Sequence, residues 1–380
     1  VRRETGTPRD GWEKTIESQG LAYHRAAHPA GLSRPYWDES AHYVFTMDEV
    51  LELESQVEEL HQMCLSAVEH VVSTGRYADF AIPGWAREDV ARSWERRDDH
   101  LYARFDLRYD GTGPAKLLEY NADTPTSLVE SSVVQWFWLK DTHPDDDQWN
   151  SVHERLIDRW KELRLPPGPT HFAWTNMDET GEEAMTLAYL QETAEQAGRP
   201  TVAIAMEDIG WDGAGRFVDL EQRWIRSAFK LYPWEWMLAD DFGRHAVRHA
   251  TWIEPLWKTL LSNKALLALL WELYPGHPNL LPAYLDGPRE MSSYIAKPLL
   301  GREGASMRIV TPTGGQETTG SYGAEGYVYQ GFEALPVFDG QRPVLGAWVV
   351  ADESAGLGIR ETTGYITDDT SSFVPHRIAS

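Results

Sequence analysis

The chain has 380 residues, 42% of them hydrophobic, enough for two or three subdomains around a cleft and too many for a small binding module. Its 59 acidic against 35 basic residues give a formal charge of -24, which disfavours nucleic acid and anionic membrane surfaces as partners. A single cysteine excludes an intrachain disulfide, and a polar start with no apolar run of spanning length gives a cytoplasmic expectation.

Thr46-Met47-Asp48-Glu49 reads as a capping box opening a helix, along which Leu53, Val57, Leu60, Cys64, Ala67 and Val71 recur at helical spacing. Cys64 on that stripe is read as a buried thiol rather than a nucleophile. Leu101 to Tyr109 alternates like a strand, and a turn at Asp110 to Pro114 leads into a second strand from Ala115 to Asn121. Helical patterns follow at Val129 to Lys140 and Ser151 to Leu163, placing Trp136, Trp138 and Trp160 in helix contacts, and Pro166 to Pro169 marks a boundary. Beyond it come a strand at His171 to Thr175, a helix from Glu182 to Gly198, a strand at Thr201 to Met206 and further helix from Leu220. Trp252 to Leu273 is helix-rich, and from Tyr294 onward β-branched, glycine-punctuated segments take over, with a loop expected from Thr313 to Gly326.

The hairpin gathers charge. Arg104, Asp106 and Arg108 share one face of its first strand, and Leu117, Glu119 and Asn121 one face of the second. A loop from Gly111 through Pro114 would set Asp106 opposite Glu119 and Arg104 opposite Asn121. Facing carboxylates repel, so this face is either wet or holds a positive charge such as Mg²⁺, whose preferred ligands are hard oxygens completed by water and phosphate. Arg104 beside them suits a phosphoryl group or an acyl-transfer oxyanion. A solvated surface hairpin would show the same spacing.

In the segment from Ile295 to Arg308 a strand delivers Lys297 to a loop containing Gly301 and Gly304, a pattern that suits phosphates but matches neither a Walker loop nor a dinucleotide fingerprint; taken by itself, the pattern is better explained by a glycine-containing hairpin turn. Tyr327 to Glu333 reads either as a hinge strand whose backbone meets adenine, with Glu333 near the ribose, or as an edge strand. Lys264 is a further phosphate candidate or a solvated helical lysine, and Arg360 an anion clamp or a surface ion pair.

Together, Arg104-Phe105-Asp106, the run from Leu118 to Ser127, Lys230 to Trp236, Ser262-Asn263-Lys264, Lys297 with Gly301 to Gly304, and the tail from Asp369 to His376 resemble the glutathionylspermidine synthase family, most of all its stand-alone acid-amine ligases. The resemblance covers nearly the whole chain in order. It implies an α/β (α+β) ATP-grasp fold, circularly permuted as in eukaryotic-type glutathione synthetases, because Glu119 and Asn121 precede Lys264 and Lys297. It also implies three parts: residues 1–165 carrying the metal-binding hairpin, 166–250 on the substrate side, and 251–380 binding nucleotide under a Gly-rich lid.

Carried over by position, Arg104 is the catalytic stabiliser, and Asp106, Glu119 and Asn121 bind two Mg²⁺ ions. Arg104, Phe105, Asp106, Lys264, Lys297, Glu303, Gly304, Gln330, Gly331, Phe332, Glu333 and Arg360 line the ATP site. Thr124 and Thr126 stand where the family has serines against its thiol-peptide substrate, and Glu182 and Glu183 lie near a substrate-binding acidic pair. The implied activity joins a small-molecule acid to an amine through an acylphosphate, glutathione and a polyamine being the family's best-known pair. The family's N-terminal cysteine amidase has no counterpart before this synthetase, so amide hydrolysis is not expected. An ATPase or kinase using the same site, and a non-catalytic nucleotide-binding scaffold, are the alternatives.

Overall fold

A computed structural model of the chain describes residues 1–22, 35–175, 181–367 and 371–379; Asp369 and Thr370 of the tail motif lie outside these. The architecture is mixed α/β, built on three larger sheets.

One five-stranded antiparallel sheet runs in the order Ser372–Val374, Glu353–Thr362, Arg342–Val350, Tyr102–Arg108, Lys116–Asn121. The hairpin expected within residues 1–165 therefore completes its sheet with strands from 251–380. A second antiparallel sheet has the order Ala283–Tyr284, Tyr327–Gly331, Tyr294–Pro298, Arg308–Thr311, Gly314–Glu317. The third is parallel, in the order Thr251–Ile253, Ser227–Lys230, Thr170–Trp174, Thr201–Ala205.

The capping box forms as expected: Thr46 Oγ1 accepts from the Glu49 N–H at 3.2 Å, and Glu49 Oε2 accepts from the Thr46 N–H at 2.8 Å. The helix Met47–Thr74 ends where Gly75 adopts a left-handed φ of 73°. Its stripe from Val50 to Val71, Cys64 included, is buried in the main core, at roughly 1.5–3 kcal/mol for each large side chain. Burial with no nearby cation pushes the Cys64 thiol pKa up, which makes it inert. Trp138 and Trp160 are buried as expected, whereas Trp136 is 37% exposed, with Lys140 Nζ 4.2 Å above its ring.

Several elements differ from the expectations. No helix begins at Leu220, because Asp219 Oδ1 accepts the N–H groups of Glu221 and Arg223, each at 2.9 Å, and turns the chain into the strand Ser227–Lys230. Trp252 opens the helix-rich span inside a strand. Val129 to Lys140 is helical with a π-turn at Glu130–Val134. Within Thr313 to Gly326, Gly314–Glu317 is a strand, joined to Arg308–Thr311 by a turn in which Gly314 has a φ of 149°. The strand Tyr327–Gly331 lies between two others rather than at an edge.

Candidate active site

The hairpin supplies the centre of the site. Asp110 Oδ1 accepts the Thr112 N–H at 2.9 Å, and Gly111 and Gly113 take left-handed φ values of 85° and 71°, closing the turn. Arg104 then faces Asn121 and Asp106 faces Glu119, as the spacing predicts. Beyond that pair the register shifts, so that Leu107 faces Leu117 and Arg108 faces Lys116. This bulge corrects the expected second face: Leu117 is buried in the core, and Leu118 joins Glu119 and Asn121 on the cavity wall. Phe105 is corrected likewise, its ring being in the core, stacked on Tyr120 at 3.8 Å. Only its backbone lies between the two charged residues.

The electrostatics of this face rest on positive groups that the chain itself supplies. Asp106 is held by two guanidinium groups, Arg104 Nε at 2.7 Å from Oδ1 and Arg360 Nη2 at 2.6 Å from Oδ2. Glu119 Oε2 lies 3.1 Å from Lys264 Nζ. The protein's own cations therefore offset the repulsion across the strands. Burial alone would raise the pKa of Asp106, but Arg104 and Arg360 outweigh it and hold the carboxyl low. Glu119 is held low in the same way, burial being outweighed mainly by Lys264 and Lys297.

The two lysines arrive from separate segments. Lys264 precedes the helix Ala265–Leu273 and donates to Gly301 O at 2.7 Å, so it is buried rather than solvated and tethers the glycine loop. Lys297 donates to Leu118 O in the bulge at 2.7 Å and to Gln330 Oε1 at 2.8 Å. Its pKa is lowered to about 8, chiefly by burial and against the pull of Glu119. Gln330 in turn donates from Nε2 to Leu117 O at 2.9 Å. Gly331 N–H donates to Pro282 O at 2.7 Å and Phe332 N–H to Ser293 O at 3.1 Å, so these two groups are already used within the sheet. Glu333 lies 3.3 Å from Arg108.

A cavity of about 380 Å³ joins these groups. Arg104, Asp106, Glu119, Asn121, Lys264, Lys297, Gly304, Gln330 and Arg360 line it, as do Thr124, Thr126 and Glu182. Glu303, with a left-handed φ of 51°, and Gly331, Phe332 and Glu333 also reach it, whereas Glu183 does not contribute to the wall. Arg104 Nη1 donates to Thr126 O at 2.8 Å, tying the stabilising guanidinium to the Thr124–Thr126 segment. Glu182, at the start of the helix Glu182–Gln196, has its pKa pushed up to about 7 by burial and by the charge of Glu130, against a hydrogen bond with Thr126.

Two low-pKa carboxylates and the Asn121 amide oxygen on one face suit a magnesium ion, while the buried Asn121 Nδ2, a donor with no hydrogen-bond partner, suits an acceptor such as a phosphate oxygen. Among the described residues, no group of three or more His, Cys, Asp or Glu is arranged to hold a metal. An ion at Asp106, Glu119 and Asn121 would therefore be completed by phosphate and water, as is usual for Mg²⁺.

Sequence reasoning missed Arg302, which lines the cavity and donates from Nη1 to Thr124 Oγ1 at 3.1 Å, and Glu235 on the same wall. Both sit inside segments that sequence reading had marked, one beside Gly301 and the other within Lys230 to Trp236. Charge within those motifs was the usable signal.

The chain matches the model described as "Glutathionylspermidine synthase preATP-grasp" over residues 3–379. It is 40% identical over 392 residues to a Haemophilus influenzae protein named, provisionally, as an acid–amine ligase, with 99% of each chain covered. A trypanothione synthetase of Crithidia fasciculata is 28% identical over 84% of this chain and 54% of its own length. The bifunctional glutathionylspermidine synthetase/amidase of Escherichia coli is 26% identical over 88% and 58%. The chain thus spans little more than half the length of these last two. Among solved structures, a glutathione synthetase-like effector from Globodera pallida covers 98% of both chains with a TM-score of 0.55 at 9% identity, a likeness of fold.

Proposed function

The chain belongs to the glutathionylspermidine synthase family, and from that premise we propose that it is an ATP-dependent ligase that condenses a carboxylic acid with an amine, releasing ADP and phosphate. The observation that carries this reading is the convergence of Arg104, Asp106, Glu119 and Asn121 with Lys264, Lys297 and Arg360 on one cavity. Four cations surround two ionised carboxylates there, a charge pattern suited to a triphosphate with its metal.

In the proposed reaction the acid's carboxylate attacks the γ-phosphate, and the amine then displaces phosphate from the acylphosphate. Lys264 and Lys297 neutralise phosphate oxygens, and the loop from Gly301 to Gly304 covers the nucleotide. Asp106, Glu119 and Asn121 would hold Mg²⁺, which supplies positive charge against that developing on the phosphoryl oxygens. Arg104, fixed by Asp106 and the Thr126 carbonyl, presents its guanidinium where negative charge builds in the transferring group or the tetrahedral intermediate. The wall from Thr124 to Thr126 receives the acid, and Glu182 stands beside it on the amine's side. The permuted order of the ATP-grasp elements is part of the same proposal, supported by Glu119 and Asn121 preceding both lysines in the chain. No helix among the described residues is long and apolar enough to cross a membrane.

The test is ADP release by the purified protein with ATP and Mg²⁺ against a panel of acids, peptides and amines, with product masses recorded. ADP that appears only with one acid and one amine, together with their condensation mass, is the expected result. ADP with the acid alone and no amide would mean a kinase or ATPase, and no nucleotide turnover at all would mean a scaffold.

A further inference from the structure

The segment from Lys230 to Trp236 is bound into the site by a buried clamp. Asp123, two residues past Asn121, accepts Lys230 Nζ on Oδ1 at 2.5 Å and the Trp234 N–H on Oδ2 at 2.7 Å. Trp234 Nε1 donates to Glu254 O at 3.0 Å. Lys230, Asp123 and Trp234 are all buried. The backbone immediately before Glu235 is therefore locked to the strand carrying Glu119 and Asn121, and Glu235 is held on the cavity wall, where Pro233, Thr124 and Arg302 also stand.

The other acids of the cavity have visible partners or water. Asp106 has Arg104 and Arg360, Glu119 has Lys264, Asp123 has Lys230, and Glu333 has Arg108. Glu182 has its Thr126 hydrogen bond, and Glu303 is exposed. Glu235 differs. Among the described residues its carboxylate forms no ion pair, and its nearest cations act on it only through space. Burial raises its pKa, the charge of Asp123 adds to the rise, and Arg302 opposes it from beyond salt-bridge distance. Glu235 is half-buried, with no cation within salt-bridge distance, and a rigid mount that keeps such a carboxylate facing a cavity is explained if a ligand brings the cation.

We propose that Glu235 is the carboxylate that binds a substrate ammonium group not consumed in the reaction, a role that rests on the ligase reading. Arg104, Arg360, Lys264 and Lys297 serve the anionic partners of the reaction, and Glu235 gives the same cavity an anchor of opposite sign. The attacking nitrogen must shed its proton to act as a nucleophile, so an ammonium at Glu235 is a second one: the far nitrogen of a diamine, or the amino group of an amino-acid-like acid. Either source presents the same three-donor cation.

The test compares wild type with Glu235→Gln on matched substrates that differ only in that ammonium: a diamine against the monoamine of equal length, and a peptide acid with its amino terminus bare or acetylated. The isosteric amide removes an uncompensated charge, so the variant should melt no lower than wild type, and Glu235→Asp provides a second reading in which part of the effect is restored. In one of the two pairs, Glu235→Gln should lower kcat/KM for the ammonium-bearing member about 10–100-fold, leave its uncharged counterpart within about twofold, and leave the KM for ATP unchanged. The pair that responds identifies the substrate bound. Equal losses for both members of each pair, or none in either pair, would overturn the role of Glu235 while the ligase reading stood. A wild-type protein that forms no amide with any pair would overturn both.

Discussion

Replacing Gly304 by alanine isolates the contribution of the glycine loop. Gly304 has a φ of 70°, and a Cβ built on it would lie 2.7 Å from Ile366 Cγ2 and 2.9 Å from Thr367 O. The left-handed conformation costs an L-residue about 1–2 kcal/mol, and forcing an extra methyl into a packed contact costs about 1–3 kcal/mol more. A carbonyl oxygen cannot swing aside as a long side chain can, and Glu303 and Ser306 already hold left-handed φ values of 51° and 56°. The loop should therefore shift away from residues 366–367, and the strain of roughly 2–5 kcal/mol should appear as lost nucleotide affinity. Its lower limit corresponds to about 30-fold. Titration calorimetry with a non-hydrolysable ATP analogue, alongside the KM for ATP, reads this directly. Gly301→Ala is the control, since its Cβ would meet only Pro298 side-chain atoms at 3.2–3.3 Å and its φ is not positive; it should change affinity by no more than about threefold. Gly304→Ala binding the analogue as tightly as wild type, with an unchanged melting temperature, would refute the placement of this loop over the nucleotide.

Three other outcomes follow from the same contacts. Lys297 keeps its proton in the unfolded chain up to an ordinary lysine value but in the native protein only up to about 8; above pH 8 its contribution to stability should rise with pH while ATP affinity falls, and Lys297→Arg should flatten the affinity profile. An affinity flat from pH 7 to 9.5 in the wild type would contradict this. Lys230→Met leaves Asp123 buried without its cation and should cost about 3–5 kcal/mol in chemical denaturation, so an unchanged midpoint would show that the clamp carries no energy. Glu119→Gln should lower turnover at least about 100-fold with little change in melting temperature, and retained magnesium-dependent turnover would remove Glu119 from the site.

The hairpin was legible because strand alternation and turn chemistry are local. Asp110, Gly111 and Gly113 announce the turn, and period-two spacing then sets Asp106 against Glu119. The bulge beyond that pair was not legible, since a single extra residue leaves the alternation on either side intact, yet it exchanges Leu117 for Leu118 on the cavity wall and aims Leu118 O at Lys297. Asp219 hid a turn inside a stretch whose composition reads as helix. Lys264 looked like any solvated lysine because its partners, Gly301 O and Glu119, come from distant segments.

The largest gap concerned charge. Like charges facing each other across a hairpin imply a counter-charge but do not say which. The sequence suggested a metal, and the folded chain adds Arg104, Arg360 and Lys264 as counter-charges of its own. On the proposed reading, the groups that would meet Mg²⁺ and triphosphate neutralise each other before either ligand binds. If, as proposed, phosphate oxygens engage the lysines and Arg360, the carboxylates lose those partners and become available to a cation, so nucleotide and metal should bind with positive coupling, each tightening the other by the same factor. A pocket holding only carboxylates or only cations would have to bind one ligand against its own repulsion. Pairing them in advance turns that cost into an exchange of partners, and it leaves Arg104, still tied to Asp106 and the Thr126 carbonyl, in a fixed position throughout.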